Sequence, residues 1–391
     1  AQTYWGVCAS NGLTSPSLLL DSTDGRIIAA YAGDALGNMW KFDLSASSPT
    51  SIPATALFSG TPLFTAKNSI DQTQPITSVP AIMRHPNGGY FILFGTGKYF
   101  EVGDHTTSIP TQSFYGVWDT ATWDAINGWQ GGATITATGS YRESILLRQQ
   151  ITNKVTTLGN TWRVVTNNAI DWSIQRGWYL DFTTSGERVT ASPIVNGGRV
   201  VFAARIPYDN SDPCAPSVGV SWLMALDALS GSRSSTVVFD VNRDGQYNSS
   251  DTISVSGGQV LVSGFEAGVA GMSQMTLLRS SNGVDVVLSG TSGLSATASA
   301  TQTSGQTNAV GTAIIQANTS INAANTANTA ASANPSDTNA AAAANAANKQ
   351  AAQDVVAAAQ AIINAANDPT IQATIDAATL SNVITAANLI I

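Results

Sequence analysis

IIAAYAGDALGNMWKFDL, residues Ile27 to Leu44, is one complete strand–turn–strand unit. Ile27 to Gly33 is apolar and β-prone. Asp34 to Asn38 reads as a turn, because Gly37 and Asn38 both tolerate positive φ. Apolar and polar residues then alternate, with Trp40, Phe42 and Leu44 on one face and Met39, Lys41 and Asp43 on the other. A period of two bounded by a Gly/Asn turn predicts a half-buried hairpin with an apolar Trp40/Phe42/Leu44 face. The turn glycine followed by aromatic-x-aromatic-Asp at the end of the second strand is the pattern of one β-propeller blade.

Outward from this unit, the ending apolar-x-apolar-Asp recurs. Trp40-Lys41-Phe42-Asp43 is echoed by Trp178-Tyr179-Leu180-Asp181, Met224-Ala225-Leu226-Asp227 and Val237-Val238-Phe239-Asp240, with Trp118-Asp119 as a degenerate form. Further strands are expected at Tyr90–Phe94, Phe114–Trp118, Arg163–Val165, Gly177–Phe182, Thr190–Val195, Arg199–Ala204, Ser221–Asp227, Thr236–Asp240, Gln259–Ser263, Met275–Arg279 and Val284–Leu288. Asn196-Gly197-Gly198 marks a hairpin. No long helix is expected before residue 295. The spacing is wider and less regular than the roughly 40–50 residues of uniform blades, which implies blades with loop insertions. A mainly β propeller is the reading, with another all-β sandwich as the competitor.

The 391 residues suffice for one large domain or for two to three ordinary ones. Only 11% are charged and the net charge is −8, which excludes the clustered Lys/Arg of a nucleic-acid interface. Low charge with abundant Ser, Thr, Asn and Gly suggests an extracellular bacterial protein. Cys8 and Cys214 are either one long-range disulfide in an exported chain or two free thiols. The start at Ala1-Gln2 reads as a processed product or a fragment. No apolar run of about 18 residues is present, so no membrane span is expected.

The nine Trp residues all lie between Trp5 and Trp222, and no aromatic residue follows Phe265. From residue 295 the chain is Ala, Asn, Thr and Ser, with charges only at Asp337, Lys349, Asp354, Asp368 and Asp376. The expected division is therefore a β region over 1–294 and a low-complexity, mostly α-helical Ala/Asn-rich tail over 295–391. Helices are expected over 339–367 and 369–388. Val355, Val356, Ala359, Ile362, Ile363 and Ala366 make one apolar stripe, and Asp368-Pro369 supplies an N-cap and an N1 proline. The bland reading of the tail is a flexible surface linker; an ordered tail would cost roughly 1–2 kcal/mol per residue in backbone entropy and would need a close-packed partner, either the β region or a neighbouring copy.

Six motifs in order carry a family resemblance. They are YAGDALGNMWKFDL (31–44), QPITSVPAI (74–82), FILFGTGKYFE (91–101), QSFYGVWD (112–119), GWYLDF with GER (177–188), and DPC followed by SWLMALDALSG (212–231). Over about residues 12–293 the chain resembles the C-terminal propeller domain of PilY-type proteins, the type IV pilus tip adhesin and biogenesis factors. The resemblance implies a modified, quinoprotein-like propeller, export, association with pili or the cell surface, and calcium sensitivity. The family's large N-terminal region and first blades are not in this sequence, which implies an incomplete ring, and the tail lies outside the family pattern.

The sharpest chemical motif is Asp240-Val241-Asn242-Arg243-Asp244-Gly245-Gln246-Tyr247-Asn248-Ser249-Ser250-Asp251. A calcium loop supplies oxygens from positions 1, 3, 5, 7, 9 and 12 around a glycine at 6. Here those positions are Asp240, Asn242, Asp244, Gln246 (backbone carbonyl), Asn248 and Asp251, with Gly245 at the sharp turn. The pattern is similar to dockerin calcium loops, and the cofactor expected is Ca2+. The competing reading is an Asp/Asn-rich turn with no ion. Asp21-Ser22-Thr23-Asp24-Gly25 stands where PilY-type proteins carry a calcium loop, but it is shortened and reads as a plain turn. His85 and His105 have no second ligand at zinc spacing, and no Ser/His/Asp arrangement is legible. His85-Pro86 reads as a loop tip and His105 as part of a solvated loop. The tryptophans are expected in the blade core.

The functional expectation is a non-enzymatic, calcium-stabilised adhesion or pilus-assembly module, with pilins or minor pilins and a host or surface ligand as partners. The alternative is a structural subunit that polymerises with neighbouring copies through its tail. A quinone-dependent enzyme is a distant third.

Overall fold

The computed structural model describes residues 11–45, 55–101, 104–137, 142–207, 219–244, 247–267, 275–279, 284–290, 296–302 and 337–366, with residues 323, 327 and 330–331. The chain divides into two compact units. The first holds residues 1–154, 162–234 and 263–273, and the second holds 155–161, 235–262 and 274–391.

The first unit opens with strands β1 (Ser17–Leu20), β2 (Ile27–Gly33), β3 (Asn38–Asp43), β4 (Thr55–Ala56) and β5 (Phe64–Thr65), which form one antiparallel sheet. Next come β6 (Ala81–Arg84), β7 (Tyr90–Gly95), β8 (Ser113–Asp119), the small β9 (Thr122–Asp124) and β10 (Gly128–Gln130) hairpin, helix α1 (Arg142–Ile145) and β11 (Leu147–Gln149). They are followed by β12 (Ile151–Thr157), β13 (Asn160–Val165), β14 (Gly177–Asp181), β15 (Ile194–Asn196), β16 (Arg199–Ile206) and β17 (Val220–Asp227). The hairpin of β18 (Ile253–Val255) and β19 (Gly258–Val260) precedes β20 (Gly264–Glu266). The second sheet runs β11-β14-β8-β7-β6 and the third β12-β13-β20-β17-β16-β15. Each of the three sheets contains a four-stranded antiparallel meander: β1-β2-β3-β4, β6-β7-β8-β14 and β15-β16-β17-β20. A succession of such meanders is the strand grammar of propeller blades.

The opening hairpin forms as its sequence predicts, with Ala29 opposite Asp43 and Gly33 opposite Met39. Its turn is organised by Asp34, which is fully buried. The Asp34 carboxylate accepts from the Leu36 and Asn38 amides, the Asn38 and Asn11 side chains and the Trp40 indole, at 2.8–3.0 Å. Gly37 sits at φ +87, and a Cβ there would meet the Gln74 carbonyl at 2.7 Å, so the position demands glycine twice over.

The buried face of β3 is the reverse of the expected one. Met39 and Lys41 are buried and Trp40 and Phe42 are half-buried. The reason is a dry ion pair. Lys41 Nζ lies 2.7 Å from Asp119 Oδ2, with both side chains at 0% exposure, and 3.5 Å from the centroid of the Trp129 ring. The Tyr31 hydroxyl donates to the same oxygen at 2.7 Å, and the Ala121 amide donates to Asp119 Oδ1. Burial pulls the Lys41 pKa down, and Asp119 offsets this in part. A lysine thus occupies a core position because its charge and its aliphatic stem are both matched.

Around this pair, Tyr31, Met39, Phe64, Ile92, Phe94, Tyr115 and Val117 form one apolar cluster between the first two sheets. Burial of side chains of this size contributes roughly 1.5–3 kcal/mol each. Phe114 stacks on Phe202 at 3.9 Å and joins the second sheet to the third. Gly116 lets Phe91 and Trp178 close over β8, since a Cβ would strike either ring at 2.6 Å.

The arrangement of Lys41 recurs. Arg142 pairs with Asp181 and lies 3.5 Å above the Tyr179 ring. Arg163 forms a two-pronged pair with Glu187, one contact at 2.8 Å, and lies 3.7 Å above Trp222. The strand-ending aspartates are thus counter-ions and turn caps: Asp43 accepts from Ser45, Asp119 from Lys41, Asp181 from Arg142, and Asp227 from Ser230. The fourth echo is different. Thr236–Asp240 forms no strand, and Asp240 instead opens a loop.

In the second unit, β18 and β19 pair, and β21 (Met275–Arg279), β22 (Val284–Gly290) and β23 (Ala296–Gln302) form an antiparallel sheet. Helix α2 spans Thr338–Ala366, and the Asp337 carboxylate accepts from the Asn339 and Ala340 amides as its N-cap. The second expected helix, 369–388, lies outside the described residues.

Asp119→Ala leaves Lys41 charged and unmatched, and is expected to cost about 3–5 kcal/mol in urea unfolding. The double change Lys41→Met with Asp119→Asn is expected to recover much of that loss. Equal losses in the two proteins would remove the ion pair from the account. A second prediction concerns acid. Burial pushes the Asp34 pKa up, but its hydrogen bonds from Trp40, Asn11 and Asn38 outweigh this and hold it below 3.8. That stabilisation is complete above pH 3.8 and is lost as pH falls through the lower folded value. The stability gap between the wild type and Asp34→Ala, followed by denaturant titration, is therefore expected to narrow below pH 3.8.

Candidate functional site

The candidate ion loop belongs to the second unit and runs from Asp240 to Asp251. Its composition decides what it can hold. Asp and Asn side chains offer hard oxygen donors, which suit calcium and do not suit soft thiophilic metals. They also bond readily to nearby backbone amides, so the same residues fold the loop.

Asp251 ties the two ends together. It is 1% exposed. Its Oδ1 accepts from the Val241 amide at 2.8 Å and the Asn242 amide at 3.4 Å, and its Oδ2 accepts from the Asn248 amide at 2.8 Å. Asn242 and Asp244 meet side chain to side chain at 3.0 Å, and Asn242 Oδ1 accepts from the Asp244 amide. Asn248 turns its own Oδ1 back to the Ser250 amide. Arg243 occupies the left-handed region at φ 61, which tightens the bend. The Tyr247 hydroxyl is pushed far up, first by burial and then by the charges of Asp240 and Asp251. Gly245 and Gln246 lie outside the described residues. Among the described residues, no three Asp, Glu, His or Cys side chains form a ready cluster for a metal.

The shorter Asp21 turn is built differently. Asp21 Oδ1 accepts from the Thr23 amide and hydroxyl, and Oδ2 accepts from the Trp123 indole at 2.8 Å. These bonds lower its pKa, the Thr23 amide contributing most. Both oxygens thus have structural roles, which accords with a plain turn.

His85 stands in the turn between β6 and β7, as expected, but it is buried there. It is 4% exposed, stacks on Trp118 at 4.1 Å and meets the edge of Trp172 at 4.4 Å. Burial lowers its pKa to about 4, so it is neutral at pH 7. His105 is exposed in a turn, as expected. Cys8 and Cys214 lie outside the described residues. The described tryptophans serve the architecture: Trp40 bonds Asp34, Trp118 the Gly88 carbonyl, Trp123 Asp21 and Trp178 the Ala228 carbonyl.

Sequence reasoning passed over the buried cations Lys41, Arg142, Arg163 and Arg188. A usable signal was present: a single basic residue on an otherwise apolar strand, such as Lys41 within MWKF or Arg163 within WRVV. Arg188 is buried and donates to the carbonyls of Gly186, Lys98, Asp104 and Thr106.

Comparison with known proteins places this geometry among relatives. A family model described as the PilY1 beta-propeller domain matches residues 3–158. The type IV pilus biogenesis factor PilY1 of Pseudomonas aeruginosa is 36% identical over 293 residues, which is 68% of this chain and 25% of that protein. A PilY1 homolog from Xylella fastidiosa is 32% identical over 229 residues, covering 56% of this chain and 14% of the relative. The crystal structure of the Pseudomonas aeruginosa PilY1 C-terminal domain superposes with a TM-score of 0.61 at 30% identity, over 77% of this chain and 62% of that one. This chain therefore corresponds to about a quarter of the length of the Pseudomonas relative.

Proposed function

The chain carries a β-propeller domain of the PilY1 family, and on that premise we propose that it is a bacterial, cell-surface, type IV pilus-associated module that serves adhesion or pilus assembly. The observation that carries the proposal is the 36% identity to a type IV pilus biogenesis factor over 293 residues. The partners it points to are pilins or minor pilins, together with a ligand on a host or surface. In this role the three blade-like sheets are a rigid, non-catalytic platform, and binding falls to the loops at their edges. Antibody against the chain is expected to label sheared pilus fractions. A chain confined to the cytoplasmic fraction would overturn the reading.

The loop from Asp240 to Asp251 is, in the same proposal, a calcium site that stabilises the second unit. What supports this is the chemistry of the donor set: three carboxylates and two amides, all oxygen ligands, at the spacing a calcium loop requires. Asp240, Asn242, Asp244, the Gln246 carbonyl, Asn248 and Asp251 would hold the ion. An ion bound there supplies positive charge to the loop and lets it close without carboxylate repulsion. Asp251 has a second role as the clasp on the Val241 and Asn248 amides.

Calcium is expected to raise the melting temperature of the wild type, and a chelator is expected to reverse the rise. Asp244→Ala, at an exposed ligand position, is expected to abolish the calcium-dependent shift while leaving the calcium-free melting temperature close to wild type. A wild type that melts identically with calcium and with chelator would sink the site.

A further inference from the structure

Within the first unit, one cleft of about 580 Å³ lies where the Tyr99–Glu101 loop approaches Arg205. Its volume is in the range of small-molecule sites, roughly 300–1,000 Å³. Thr77, Thr190, Tyr99, Phe100 and Glu101 line it together with Arg205.

Arg205 is the informative group. It sits near the end of β16 and is half-buried. Its guanidinium carbon lies 3.7 Å from the centroid of the Tyr99 ring. The stacked ring fixes the plane of the fork, and Arg205 lines the cleft. Its guanidinium N–H groups have no carboxylate or carbonyl acceptor among the described residues, and Nε is buried without a hydrogen bond. The other charges nearby are already matched. Lys98 pairs with Glu101 and with Asp104, the latter at 3.6 Å. Arg188 uses its fork on backbone carbonyls. Lys98, Arg188 and Arg205 thus face two carboxylates, Glu101 and Asp104. One positive charge is left over in a protein whose net charge is −8. Burial lowers the Arg205 pKa, with only Tyr99 opposing, as fits a cation short of counter-charge. All the other buried cations described above carry matched partners. A half-buried guanidinium without one is costly unless a ligand supplies the anion.

The walls of the cleft say what else the ligand carries. Phe100 is 66% exposed and Tyr99 37%, so both rings keep surface open to solvent even with Arg205 stacked on Tyr99. They are not loose. Asp104 Oδ2 accepts from the Phe100 and Glu101 amides, and Arg188 holds the carbonyls on both sides of this turn. The Thr190 hydroxyl has no protein partner among the described residues, and the Thr77 hydroxyl donates to Gly97 while keeping its acceptor capacity. The surface combines an anion receptor, apolar ring faces and hydroxyl-bonding groups. We propose that this cleft binds an acidic sugar, with Arg205 receiving the carboxylate, Tyr99 and Phe100 covering the apolar face of the ring, and Thr77, Thr190 and Glu101 bonding its hydroxyls. A flat aromatic acid would satisfy Arg205 but leave those polar groups unmatched. The inference rests on this cleft alone and does not depend on the pilus reading.

The test is titration calorimetry of the whole chain with glucuronic acid, galacturonic acid and N-acetylneuraminic acid, against glucose and benzoate. At least one sugar acid is expected to bind tenfold or more tightly than either control, and Arg205→Gln is expected to weaken it by about 10- to 100-fold, the range of a charge-assisted contact. Phe100→Ala removes only an exposed ring and is expected to weaken binding with unchanged melting, which separates loss of the site from loss of the fold. Binding is also expected to fall as salt rises. The proposal is overturned if none of the three acids binds. It is overturned equally if Arg205→Gln binds as the wild type does, or if benzoate matches the best sugar acid.

Discussion

A charge inside a dry core must be matched at once or not placed there, and the first unit is organised around that constraint. Lys41 reaches Asp119 across 78 residues of sequence, and the Tyr31 hydroxyl meets the same carboxylate oxygen. The pair fixes the first two sheets relative to each other more sharply than apolar packing does, because a hydrogen bond to a charge tolerates little displacement. Trp129 closes over the ammonium and removes water from it. Arg142 with Asp181 and Tyr179, and Arg163 with Glu187 and Trp222, repeat the solution in later sheets. A chain with 11% charged residues thus places three of its 17 Lys and Arg side chains where they specify contacts.

Much of this was legible in the sequence, and the failures have physical causes. Strand positions at Ile27–Gly33, Tyr90–Gly95 and Gly177–Asp181 follow from apolar runs bounded by turn residues. The face of β3 was not legible, because alternation tells two faces apart without telling which is inside. Hydrophobicity alone assigns Trp40 to the core, yet its indole serves the Asp34 turn and Lys41 points inward. Asp240 follows three apolar residues, the pattern of a strand end, yet no strand forms there. Val238 and Phe239 are indeed buried, but in irregular chain. The His85 environment was invisible for another reason: Trp118 and Trp172 come from distant segments.

The Asp240–Asp251 loop is local both in its sequence pattern and in its hydrogen bonds. The spacing of acidic and amide residues was evident, and the clasp by Asp251 follows from the preference of short carboxylates for backbone amides. The Arg205 cleft is the opposite case. Thr77, Tyr99, Thr190 and Arg205 are far apart in sequence, and no spacing rule joins them.

The place of β20 in the third sheet carries a consequence for the order of assembly. These three residues, Gly264–Glu266, lie between β13 and β17, pairing Trp162 with Phe265 and Met224 with Gly264. Until residue 266 has left the ribosome, or has crossed a membrane, β13 and β17 each present an unpaired inner edge. Such edges recruit strands from other chains. The sheet therefore closes late, and a nascent chain must be kept from its neighbours across about a hundred residues of growth. The last short strand converts two hazardous edges into one continuous sheet.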